Sequence, residues 1–201
     1  MHARGTLTAH NAAMIGVAGR GRGVASSLEG VSVPVFVVIV IVAFVAMEPI
    51  TAATHRWVMH GFGRFFHNSH HRPGQKPRWE RNDWFPVFFA AIVLFGLWLG
   101  FNRDGLAALI PMAVGVTLYG ATYALVHDGY IHRRLDPFGD RGNVLLDHLA
   151  EAHRIHHLYN AAPYGMLAPV VPAKLRAKAA NTDRDPFGEP MVTGAAAPVG
   201  Q

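Results

Sequence analysis

The chain has no cysteine among its 201 residues. That excludes disulfide frameworks, iron–sulfur clusters, thiolate-ligated haem, cysteine-based zinc ribbons and cysteine nucleophiles. Charge is also scarce. Charged residues make up 15% of the chain, against about 25% in ordinary soluble domains. Hydrophobic residues reach 51% and the mean hydropathy is +0.19, which points to a membrane. Acids are the scarcer sign, 13 against 18 Lys and Arg, giving a net charge of +5. A pI near 10.0 invites a nucleic-acid reading. The basic residues lie beside apolar runs, however, where they read as topology signals, and no nucleic-acid partner is expected. The residue in excess is histidine, with 13 copies, as many as all the acids together.

Three runs carry no charge: Val31 to Met47, Trp84 to Phe101, and Gly105 to Val126. Each approaches or exceeds the roughly 20 residues that cross a bilayer. The second and third are separated by Asn102-Arg103-Asp104, which predicts a helical hairpin whose two open ends face the same side. Asn82 and Asp83 precede it as expected helix N-caps. Fourteen of the eighteen Lys and Arg lie in 54–83 or after Val126, the two segments that this hairpin brings together. The positive-inside rule makes that face cytoplasmic. Trp57, Trp79 and Trp84 flank it as interfacial aromatics. The expected class is an all-α integral membrane protein, with three to four membrane helices and a cytoplasmic His-rich helical cap holding a dinuclear metal site. Its expected place is a bacterial inner (plasma) membrane, with the active site on the cytoplasmic face. Residues 1–30, rich in Gly and Arg, read as a flexible leader, 31–179 as the membrane domain, and 180–201 as a disordered Ala/Pro tail.

Ten histidines form four clusters at the ends of the apolar runs. His55 and His60 make H-x4-H, and His67, His70 and His71 make H-x2-H-H. After the hairpin the order repeats, with His127 and His132, then His153, His156 and His157. All ten fall on the face that charge assigns to the cytoplasm. On a helix, residues at i, i+3 and i+4 share a face, so each triplet is expected to converge on one metal. An i, i+5 pair diverges on a regular α-helix, and needs a helix end, a π-bulge or two different metals. His148 lies outside the pattern and reads as a structural or surface residue. Imidazole suits Zn, Cu, Fe and Ni, and ten ligands exceed one tetrahedral zinc. Two ions of higher coordination are expected, with iron favoured. Two carboxylates are candidate catalytic-site groups. Asp128, next to His127, can fix an imidazole N–H, or else cap a helix or pair with Arg133. Glu48 lies seven residues before His55 on the same helix face, and a carboxylate at a membrane edge is costly unless functional. Glu80 and Asp83 are either supporting acids or caps. Gly115, Gly120, Ala121 and Ala124 read as a close helix-packing surface, while Tyr119, Tyr123 and Tyr164 are either ring-pocket or interfacial residues.

These motifs carry a family resemblance. Met47-Glu48, HRWVMHG at 55–61, HNSHHRP at 67–73, ERND at 80–83, Tyr119 to Arg134 ending in VHDGYIHRR, AHRIHH at 152–157 and PYGMLAP at 163–169 resemble the membrane-bound di-iron hydroxylase and desaturase superfamily. Within it they resemble the carotenoid 3-hydroxylases, over roughly residues 40–176. The resemblance implies hydroxylation of β-rings at C3 and C3′, taking β-carotene through β-cryptoxanthin to zeaxanthin. It implies two ferrous ions on the ten boxed histidines, O2 as oxidant, and electrons from reduced ferredoxin and its reductase. The substrate is expected to arrive from the membrane lipid. The competing readings are a fatty-acid or sterol hydroxylase, a desaturase or a carotenoid ketolase of the same superfamily, and a membrane metal transporter.

Overall fold

The computed structural model describes residues 31–72, 77–135, 137–138 and 142–187. The expected leader and residues 188–201 of the expected tail lie outside them. Among the described residues every regular element is helical. Helix α1 (Val33–Ala53) runs without a break into a π-helical segment, π1 (Thr54–Phe62). A short helix α2 (Arg64–His67) follows. A 3-10 turn (Arg81–Asp83) leads into α3 (Trp84–Asn102). Helix α4 (Leu109–Ala124) continues into a second π segment, π2 (Leu125–Ile131). Helices α5 (Val144–Tyr159) and α6 (Ala173–Ala179) are the last elements among the described residues.

Three helical stretches are long and apolar enough to cross a membrane: Val33–Phe62, Arg81–Asn102 and Leu109–Ile131. Their outward faces stay apolar. Ile41 is 56% and Leu94 66% exposed, a cost in water that lipid removes. Helix α4 sits between α1 and α3 and packs on both. Its contact with α1 is close because of Gly115, where an added Cβ would lie 2.4 Å from the Val40 carbonyl oxygen and 2.7 Å from the Ala43 Cβ. That is the small-residue packing of membrane helices. Gly120, by contrast, opens onto empty space.

The α3–α4 hairpin returns the chain to its starting side, so Trp84 and Ile131 end near each other beside the histidines. Trp57, Trp79 and Trp84 are all exposed there. The entry to α3 differs from expectation. Asp83 stands at the N-cap of α3 but makes no side-chain cap bond there, while Glu80 caps the preceding 3-10 turn and forms a reciprocal capping box with Asp83, which leaves the Asn82 side chain for another partner. Helix α5 starts at Asn143, whose Oδ1 accepts from the Leu145 and Leu146 amides at 3.0 and 3.1 Å. It stops at Asn160 in the left-handed region, φ 50°. Residues 180–187 pack back onto α5, where Arg154 donates to the Thr182 and Arg184 carbonyls and Tyr159 pairs with Thr182.

Candidate metal centre

The ten boxed histidines come together at the ends of the spans, while His148 is exposed on the far side of α5. Five of them, His55, His60, His67, His71 and His156, bring one ring nitrogen each within 4.8 Å of one another. His70, His132, His153 and His157 form a second such group. His127 joins that group through His70, with their Nε2 atoms 3.0 Å apart. The two clusters adjoin: the His71 ring stacks on His157, with centroids 4.3 Å apart and planes at 22°.

Each triplet is split, contrary to the expectation of one metal per triplet. The i and i+4 members stay together, His67 with His71 and His153 with His157. The i+3 member crosses over, His70 to the second cluster and His156 to the first. The cause is angular. At about 100° per residue, i+3 and i+4 fall on opposite sides of residue i. Three imidazoles from one turn therefore diverge over the distance of a ring, and two centres close together can use all of them.

The H-x4-H pairs lie on the two π segments. A π-helix hydrogen-bonds i to i+5, which stacks residues five apart on one face. The His132 amide donates to the His127 carbonyl at 2.9 Å, and the Gly63 amide to Val58 at 2.8 Å. His55 and His60 thus face the first cluster, with ring centroids 5.0 Å apart. His127 and His132 face the second, at 4.6 Å. Gly61 leaves helical dihedrals altogether, at φ −96° and ψ −121°, and turns the chain into α2.

Hydrogen bonds set the tautomers. His67 Nδ1 donates to Asn82 Oδ1 at 2.7 Å, and His70 Nδ1 to Glu80 Oε1 at 2.9 Å. His127 Nδ1 donates to Asp128 Oδ1 at 2.9 Å. His55 and His156 donate to the carbonyls of Tyr164 and Ala161, at 3.1 and 2.6 Å. All five acceptors are oxygens without a proton to give, so Nδ1 carries the hydrogen and Nε2 presents a lone pair. Yet Nε2 atoms face Nε2 atoms at 2.9 to 3.3 Å throughout both clusters. Where both tautomers are set, at His55–His67 and His70–His127, lone pair meets lone pair and neither satisfies the other. Protonation is opposed as well: burial pushes His67 and His156 down to about 3, and His70, His153 and His157 well below the ordinary value. A cation at the focus of each cluster resolves the conflict, and neutral imidazole is the form that binds metal. The donor set therefore fits two metal ions, one among five nitrogens and one among four, with His127 beside the second group.

The two candidate carboxylates have different places. Asp128 holds His127 and is reached by Arg134 Nη1 at 3.3 Å. Glu48 lies away from the ring nitrogens. Its carboxylate accepts from the amides of Met166, Leu167 and Ala168 at 2.9 to 3.1 Å, and from the Tyr119 hydroxyl at 2.6 Å. Gly165 permits this approach, since a Cβ there would stand 2.6 Å from Glu48 Oε1. The bonds of Glu48 thus act on the geometry of this loop. They tie α1 to the loop whose Ala161 and Tyr164 carbonyls orient His156 and His55.

Several contributors escaped the sequence reading. Asn82 read as a cap and instead holds His67. Arg134 read as a topology charge, yet it forks onto both Asp83 oxygens at 2.9 and 2.8 Å. Phe187, expected in the tail, covers the second cluster, with its ring 4.9 Å from His132 and 5.0 Å from His157. Nothing local marks any of these three. Tyr123 stacks on His127 at 5.0 Å, and Tyr164 lies 5.4 to 5.6 Å from His55, His60 and His156. Beyond Tyr164 an open cleft of about 440 Å³ lies at the lower end of α1, walled by Ala52, Ala53, Trp57, Pro163 and Tyr164.

Comparison with known proteins agrees with this centre. A family model described as fatty acid hydroxylase matches residues 40–172, which contain all ten histidines. The chain is 38% identical over 143 residues to a beta-carotene hydroxylase of Pseudescherichia vulneris, covering 69% of this chain and 80% of that one. It is 40% identical over 119 residues to that of Pantoea ananas, covering 59% and 66%. Against the chloroplastic beta-carotene hydroxylase 1 of Capsicum annuum it is 36% identical over 129 residues, 62% of this chain and 40% of the longer plant protein. No solved structure matches it. A metal-ready pair of histidine clusters at the ends of membrane helices, inside a segment matched over this length, leads to one assignment: the chain belongs to the fatty acid hydroxylase family, on its β-carotene hydroxylase branch.

Proposed function

We propose that this protein hydroxylates the β-rings of carotenoids at C3 and C3′, taking β-carotene through β-cryptoxanthin to zeaxanthin. The observation that carries the reading is a five-histidine and an adjoining four-histidine cluster, the latter joined by His127, in a chain 38–40% identical to bacterial beta-carotene hydroxylases. Iron is the metal of the proposal, because an all-imidazole set suits it and zinc has no redox chemistry. When bound, two ferrous ions supply the reduction of O2 and the oxidation of a ring C–H bond. The chain supplies position and surroundings. Asn82, Glu80, Asp128 and two loop carbonyls hold the imidazoles in the ligating tautomer. Phe187 and Tyr123 cover the second cluster with apolar surface. The cleft beside Tyr164 is the proposed seat of the ring, entered from the bilayer. Reduced ferredoxin and its reductase are the proposed electron source. The bacterial inner membrane, with the centre on the cytoplasmic face, is the proposed location, supported by the crowding of basic residues there.

The test is pigment analysis after expression in a bacterial host that accumulates β-carotene, with His156→Ala as control. β-Cryptoxanthin and zeaxanthin that vanish in the control support the proposal. Unchanged β-carotene with an iron-loaded protein defeats it, and hydroxylated acyl chains in the same extracts would move the substrate to a fatty acid, as the wider family's name suggests.

A further inference from the structure

The five defined Nδ1 partners differ systematically between the clusters. In the first, His55, His67 and His156 donate to neutral oxygens: two backbone carbonyls and the Asn82 amide. In the second, His70 and His127 donate to carboxylates, Glu80 and Asp128. The Glu80 side chain is 3% exposed and that of Asp128 27%. Arg134 stands 2.8 Å from Asp83, 3.3 Å from Asp128 and 3.9 Å from Glu80. The Arg134 guanidinium thus reaches all three carboxylates, two of which hold a histidine of the second cluster.

A carboxylate that accepts an imidazole N–H draws on its proton and raises the basicity of the opposite nitrogen. A carbonyl does this less, because it carries no net charge. Fixed negative charge in a buried setting also favours the more positive state of a nearby ion. We propose that Glu80 and Asp128 make the two clusters unequal. The second is then the tighter metal position and the one that favours the oxidised ion. The first, set by neutral acceptors and adjoining the cleft at Tyr164, is the weaker donor and the more electron-poor position. This division rests on the metal reading above. In it Glu80 and Asp128 are positioning residues that act through His70 and His127.

The experiment is a titration of the metal-free full-length protein in detergent with Co2+, followed by visible absorption and calorimetry. The wild type should bind two equivalents in two separated steps. Glu80→Gln and Asp128→Asn keep the acceptor oxygen and remove the charge. Each should weaken the tighter step by about tenfold or more and leave the weaker step nearly unchanged. Asn82→Asp supplies the reciprocal arm. It puts a carboxylate on His67 and should tighten the weaker step, closing the gap. Mössbauer spectra of the 57Fe-loaded protein should show two unequal doublets, with only one shifted by Asn82→Asp. A single step of two equal equivalents in the wild type would overturn the inequality while leaving the metal reading intact. So would a folded Asn82→Asp protein with unchanged steps, or charge-removing variants that weaken both steps alike. Failure to bind any cobalt would overturn the metal reading, and this proposal with it.

Discussion

Single atoms decide whether ten imidazoles bind metal. Each defined ring is held by an oxygen on Nδ1, so the lone pair on Nε2 points inward before any ion arrives. Glu48 shows how far back this support reaches. It touches no histidine, yet its carboxylate gathers three amides and a hydroxyl. Those bonds hold the loop that orients His55 and His156. Glu48→Ala strands the amides of Met166 to Ala168, at a cost of about 1–3 kcal/mol. We expect a lower thermal midpoint and weakened metal binding at the first cluster. Glu48→Gln retains one acceptor oxygen and should lie between Ala and wild type. Calorimetric melts together with metal analysis check both variants. A Glu48→Ala protein with wild-type melting and two tightly held metals would contradict the anchoring role.

At the scale of elements, the π segments matter most. The sequence showed that an i, i+5 pair cannot chelate from a regular α-helix, and offered three escapes. Packing chose the π-helix at both pairs. Its wider turn returns residue i+5 to the face of residue i. One Ala inserted between Val58 and Met59 makes the spacing i, i+6, which neither helix type brings into register. The expected result is loss of one metal equivalent, with the second cluster still filled. Metal-to-protein ratios near one rather than two, by elemental analysis of the purified variant, would show it. A ratio still near two would mean that π1 does not set the first cluster. Helix α5 needs no such device, because His153 and His157 already share a face at i, i+4.

At the scale of the whole molecule, two properties emerge that no element has alone. One is a buried cluster of neutral histidines. Free imidazole titrates at 6.5, whereas burial lowers His67 and His156 to about 3 in the folded chain. The unfolded chain therefore takes up protons first as pH falls below about 6.5. Folded stability is fully present above 6.5 and is lost as pH drops towards 3, by about 1.4 kcal/mol per pH unit for each such histidine. Thermal melts of the metal-free protein should thus fall steeply between pH 7 and 5, and bound metal should flatten the slope by competing with protons. A melting temperature independent of pH over that range would contradict the buried neutral cluster. The other property is sidedness. With no native cysteine to interfere, Asp104→Cys in the α3–α4 turn and His148→Cys on α5 make clean single-site probes. An impermeant thiol reagent should label them from opposite faces of the membrane. Labelling of both from one face would break the three-span arrangement.

Much of this was legible from the residues themselves. Charge-free runs fixed the spans, because a bilayer demands about 20 apolar residues in a row and little else. Repeated histidine spacing picked out the ten imidazoles that gather beside the spans. What lay beyond local pattern was the pairing. Which histidine joins which cluster depends on the turn after α2 meeting α5 across some 85 residues, as His71 does with His156 at 3.2 Å. The partners of the ring nitrogens are equally remote. Asn82 looks like a cap, and Arg134 looks like a topology charge, until folding sets each against its acceptor or donor. Glu48 meets its amides about 120 positions away. Hydropathy and helical period act along the chain and can be read there, whereas hydrogen-bond partners are chosen in space, and only the tertiary structure decides them.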